Sequence, residues 1–266
     1  MFAKLLKHDI FAMFKYWWIV AVSTILFSVI GSFCISIVTV SYTTHYSIQR
    51  IASILLIFSA IAIFISPMLI AVLMFRRFNK NFFSDEGYLT FTLPVNQSAL
   101  LSSKLLTAII FTILSIKVFE LDVAIVFSYD LEELIDIRTL FLDIIAEYYS
   151  SFSIAIGTIL LNITIIVAIA TSIAFIFLCI TLANILVRKR KLLLGIGIFY
   201  AVVIVGSIII RTIFTSGALD LLINTDHSDE IAYALVMFGI LAITTLVGSG
   251  IYLLNLYLLD KKLNLE

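Results

Sequence analysis

The sequence predicts an all-α polytopic membrane protein with six transmembrane helices, an N-terminal in-plane amphipathic helix and both termini in the cytoplasm. Three observations carry that expectation. Of the 266 residues 62% are hydrophobic and 13% charged, a balance no water-soluble domain of this size shows. Apolar runs recur that are long enough, at about 1.5 Å per residue, to cross a ~30 Å hydrocarbon core. Lysine and arginine gather in alternate connections between those runs, as short cytoplasmic loops do.

The runs cover residues 17–40, 51–75, 105–127, 152–187, 192–214 and 231–259. The first follows a basic N-terminus but is long and has no small-residue cleavage site, so it reads as a retained span. The fourth is twice the length a span needs, because no charge interrupts it between Glu147 and Arg188. Charge placement argues for keeping it as one. With six spans the inner segments hold Lys4, Lys7, Lys15, Arg76, Arg77, Lys80, Lys104, Arg188, Lys189, Arg190, Lys191, Lys261 and Lys262, thirteen of the seventeen basic residues. Splitting the fourth run would send the RKRK sequence and the C-terminal DKK outside.

Residues 1–16 put Lys4, Lys7, His8 and Lys15 on one helical face and Phe2, Leu5, Leu6, Met13 and Tyr16 on the other. That is the pattern of a helix lying in the inner leaflet and ending at the Trp17-Trp18 interface anchor. Asp9 interrupts its apolar face and calls for a partner, either a local lysine or a docked protein. On the outer side, residues 128–150 separate Leu131, Leu134, Ile135, Phe141 and Ile145 from Glu132, Glu133, Asp136, Asp143 and Glu147, an acidic amphipathic helix on the membrane surface.

Several chemistries are excluded. There is no phosphate-binding G-x-x-x-x-G-K-[ST] loop, no G-x-S-x-G and no H-E-x-x-H. His8, His45 and His227 fall in loops or at the surface, so no catalytic residue and no metal site is expected. Cys34 and Cys179 lie in apolar runs toward opposite faces, which rules out a disulfide between them. Net charge is zero and gives no reason to expect a nucleic-acid partner. Any ATP chemistry would have to sit on another chain.

The polar residues within the spans are therefore the ones to weigh. Thr24, Ser28, Ser32 and Ser36 recur every four residues along the first span and offer either a small-residue packing seam or the lining of a polar path. Lys117 lies about 20 Å beyond Lys104 along the third span, and Glu120 follows one turn later. At that spacing the two can pair, at the outer surface or in a gate. Pro67 removes one backbone bond from the second span and invites a kink.

Residues 76–104 form the longest polar stretch on the inner side. Arg76, Arg77 and Lys80 would hold it to an anionic leaflet, with Phe82 and Phe83 dipping into the interface. Ser84, Asp85 and Glu86 then offer an N-cap and first-turn acids for a short helix through Gly87, Tyr88, Leu89 and Phe91, which Pro94 ends; Asn96 can cap the helix that follows. Two carboxylates and an aromatic ring on a short helix below the membrane suit a docking contact.

This stretch, FFSDEGYLTFTLPVNQSALLSSKLLTA, together with LLKHDIFAMFKYWW near the N-terminus, is similar to the permease subunits of bacterial ABC transporters of the exporter class called ABC type-2. The resemblance is sequence-specific over about forty residues and extends in plan to the six spans and basic inner loops. It implies a bacterial cytoplasmic membrane protein that binds no cofactor itself and works with a second permease copy or paralogue. Separate ABC ATP-binding subunits would hold ATP and magnesium. It also implies that residues 84–93 are the coupling helix, with Asp85, Glu86, Gly87 and Tyr88 at the contact, and that the N-terminal helix with Asp9 helps seat the ATPase. The outer side departs from the family pattern, since only residues 215–230 separate the last two spans.

An export permease is thus the leading expectation. Its alternative is a membrane scaffold or sensor that recruits a cytoplasmic partner through the same loop. An intramembrane enzyme is disfavoured by the missing side-chain constellations.

Overall fold

The computed structural model describes residues 2–40, 46–83, 87, 96–127, 152–186, 195, 197, 199–204 and 229–261. Expectations for the outer helix at 128–150, for the basic run at 188–191, and for Asp85, Glu86 and Tyr88 lie outside these residues.

The described chain is all helix in its regular structure. It comprises α1 (Phe2–Val40), α2 (Tyr46–Phe83), α3 (Gln97–Phe127), α4 (Phe152–Leu186) and α5 (Asp229–Lys261), with residues 199–204 also helical. Among the described residues four stretches are long and apolar enough to cross a membrane, Phe2–Thr39, Tyr46–Phe83, Ile159–Leu186 and Leu235–Asp260. This is a multi-pass helical membrane protein.

Two boundaries differ from those read off the sequence, and the fourth run holds as one. The expected in-plane helix 1–16 and first span 17–40 are one unbroken helix of 39 residues. No glycine or proline occurs between Phe2 and Ile30, so nothing releases the backbone bonds at Trp17 to turn the chain. Residues 76–83, expected to open the inner loop, instead continue α2. Phe82 is buried and does not lie free for the interface: its ring is 4.9 Å from that of Phe78, which stacks on Phe177 at 3.9 Å. Finally, the long fourth apolar run is a single helix of 35 residues.

Pro67 is accommodated without interrupting α2. A proline at this position deprives the carbonyl of Ile63 of its intrahelical donor. The buried Ser66 hydroxyl donates to that same carbonyl at 2.9 Å, so the orphaned acceptor is satisfied locally.

The chain forms two compact units. The first comprises Met1–Arg77 and Ser102–Ile144, the second Phe78–Leu101 and Ile145–Glu266. Within the first, α1 and α3 run parallel: Asp9 meets Lys104, Trp17 Nε1 donates to Ser115 Oγ at 3.2 Å, and Ser28 approaches Asp122. α2 runs the other way, since Arg77 reaches Asp9, Thr112 donates to Met74 Sδ at 4.0 Å, and Phe64 packs on Phe119 at 5.5 Å. Gly31 brings α1 against α2 so closely that a Cβ there would stand 2.8 Å from Ser59 Oγ.

In the second unit α4 packs along α5 in parallel, with Thr171 beside Gly248 and Thr181 Oγ1 donating to Asn255 Oδ1 at 2.9 Å. Asn184 donates to Asn79 Oδ1 at 2.9 Å. These side chains close on one another where water is absent, as an apolar surrounding favours.

Candidate functional site

α1 turns a narrow seam toward its neighbours: Asp9, Met13, Ala21, Thr24, Ser28, Gly31 and Cys34 are buried. Steps of three and four residues keep a seam on one face of a 3.6-residue helix. At its basal end Asp9, 2% exposed, gathers three groups from elsewhere in the chain. Lys104 Nζ donates to Oδ1, Ser103 Oγ donates to Oδ2 at 3.2 Å, and Arg77 Nη2 stands 3.6 Å from Oδ1. The partner of Asp9 is thus neither a lysine of its own helix nor a surface left open for another protein. It is a cationic pair supplied by α2 and α3.

Arg77 precedes the connection between α2 and α3, and Lys104 follows it. Gly87 is buried, and a Cβ there would lie 2.6 Å from the carbonyl oxygen of Phe82, a backbone atom that no rotamer change can move. Only glycine fits that return. The Asn96 carbonyl accepts from Ala99 N at 2.9 Å and Leu100 N at 3.2 Å, which starts α3.

The hydroxyl stripe divides. Thr24 and Ser28 are buried, whereas Ser32 and Ser36 are only partly so. Each four-residue step advances about 40° around the helix, so Ser36 has rotated about 120° from Thr24. The buried hydroxyls donate to their own helix, Thr24 to Ala21 O at 3.0 Å and Ser28 to Ile25 O at 2.8 Å. Ser59, Thr107 and Ser115 do likewise.

Lys117 and Glu120 pair at 2.8 Å, but on the outside of the unit, with side chains 67% and 56% exposed. An exposed ion pair couples weakly. In a double-mutant cycle of Lys117→Met and Glu120→Gln, read as thermal stability in detergent, we expect at most about 1 kcal/mol of coupling. A value of about 3 kcal/mol or more would place the pair in a dry site instead.

Two residues beyond Glu120, on the opposite side of α3, stands Asp122. It is 0% exposed, and neither carboxyl oxygen has a hydrogen-bond partner among the described residues. Sequence inspection passed over it in favour of Lys117 and Glu120. The signal was nonetheless present, because Ser103, Thr107, Ser115 and Asp122 share one face of α3, and all four are buried. Among the described residues no group of three or more His, Cys, Asp or Glu side chains is placed to hold a metal ion. No family model matches the chain, and neither curated proteins nor solved structures include a match to it.

Proposed function

We propose that this chain is the membrane-spanning permease subunit of an ATP-driven exporter in a bacterial cytoplasmic membrane, moved by an ATP-binding subunit on a separate chain. One observation carries the proposal. The Asp9, Arg77 and Lys104 cluster ties the start of α1 to both stems of the α2–α3 connection. A force applied to residues 84–93 therefore reaches three helices together, as a coupling element requires. The six-span plan with both termini inside agrees with the helix directions: α1 and α3 parallel, α2 opposed, and α4 parallel to α5 with one apolar run between them.

The test is the loop variant Asp85→Asn/Glu86→Gln/Tyr88→Ala in the full chain, in membranes and at wild-type abundance. Losing an aromatic anchor and two charge-assisted contacts is expected to weaken co-purification with a Walker-motif ATPase by about thirtyfold, and to lower permease-dependent ATP turnover in parallel. Wild-type values for both would remove this loop as the coupling element. Failure of the unaltered chain to retain any ATPase would favour the scaffold or sensor instead.

A further inference from the structure

Asp122 and Asp9 are both buried acids of the first unit, and they differ in one respect. Asp9 is neutralised by Lys104 and Arg77, whereas Asp122 has no cationic partner among the described residues. The polar groups that face it are the hydroxyls of Thr24 and Ser28 across from it on α1. Each of those hydroxyls has directed its proton to its own helix, at the carbonyls of Ala21 and Ile25. The same hydroxyls stand close enough to Asp122 to turn a proton or a lone pair toward it. Two hydroxyls can solvate a carboxylate only in part, and a buried carboxylate with no counter-charge is too costly to stand alone.

Among the described residues no side chain near Asp122 supplies a positive charge. Residues 16–40 of α1 and 51–75 of α2 contain no charged residue, and their only thiol is Cys34 on α1. On α3 itself Lys117 is committed to Glu120 at the exposed side. Oxygen-only ligation with a single negative charge, away from any multi-carboxylate cluster, suits one positive charge and repels anions.

We propose that Asp122, Thr24 and Ser28 form a binding site for one monovalent cation, either an alkali-metal ion or a proton. The site is built from α1 and α3, parallel helices whose relative movement would open or close it. It requires no ATPase, so its failure and that of the permease proposal are separable.

The experiment uses the purified full chain in lipid nanodiscs. Thermal unfolding is followed in lithium, sodium or potassium chloride against N-methylglucamine chloride at constant ionic strength and pH. In parallel, the infrared band of a protonated carboxyl is recorded in N-methylglucamine buffer. An alkali-ion site is expected to raise the unfolding midpoint saturably in wild type and not in Asp122→Asn. A proton site is expected to show a protonated-carboxyl band that disappears in Asp122→Asn and responds reversibly to pH, with no alkali-ion effect. Should Asp122→Asn fail to fold, Thr24→Val and Ser28→Ala retain the carboxyl. Each is expected to raise the half-saturating ion concentration on the order of tenfold, the loss of one contact to a charged group, or to shift the band. Neither an ion-dependent midpoint nor a band attributable to Asp122 would overturn the site.

Discussion

Asp9→Asn is expected to lower the stability of the folded chain by about 3 kcal/mol, seen as a depressed thermal midpoint in detergent and a reduced folded yield in membranes. The substitution keeps the shape and the acceptor for Ser103, but removes the negative charge that Lys104 and Arg77 share. Removing one member of a buried ion pair costs about 3–5 kcal/mol, because the survivor is stranded. The lower end applies here, since Arg77 is partly exposed and can turn outward. In a double-mutant cycle of Asp9→Asn and Lys104→Met the two losses should fall short of additive, because both remove the same ion pair. A carboxylate that served only to dock an ATPase would behave differently: Asp9→Asn would then reduce co-purification at an unchanged midpoint, and that result would refute the buried-clamp role.

The second large effect is expected at Gly248, where α5 passes α4. A Cβ at this position would sit well inside van der Waals distance of the Thr171 γ-methyl, with the Thr171 Cβ 3.5 Å away. Thr171 is not free to swing clear at no cost, because its hydroxyl donates to Ala168 O at 2.9 Å. Gly248→Ala is therefore expected to destabilise by about 1–3 kcal/mol through overpacking, and Gly248→Leu by more. Thr171→Ser removes the obstructing methyl while keeping the hydroxyl, so the pair Gly248→Ala/Thr171→Ser should restore most of the loss in a double-mutant cycle. Gly250, two residues along the same helix, has nothing within 4 Å of its would-be Cβ. Gly250→Ala should be neutral or stabilising by up to about 1 kcal/mol, from helix propensity alone. Equal effects at Gly248 and Gly250 would contradict the close approach.

How far the sequence reached depended on whether a property is local along the chain. The Lys117–Glu120 pair was legible because three residues of helix bring them together whatever surrounds them. Which way that pair faces was not, and it turned out to lie outside the unit. Thr24 to Ser36 could be recognised as a hydroxyl series, yet which of them are buried depends on which part of α1 meets its neighbours. The in-plane reading of residues 1–16 rested on an amphipathic pattern that a helix packed against other helices produces equally well.

By itself the sequence determined that the chain is helical and built for a membrane, because run length and hydropathy act residue by residue and need no partner. It also exposed Asp9 as an acid out of place on an apolar face. Only the tertiary structure decided what answers that acid, since Arg77 and Lys104 are far from it along the chain and meet it through packing of three helices. The same packing buries Asp122 opposite Thr24 and Ser28 and turns Glu120, two residues away, outward. A step of two residues rotates about 200° around a helix, and which side becomes interior is set by the helices packed against it.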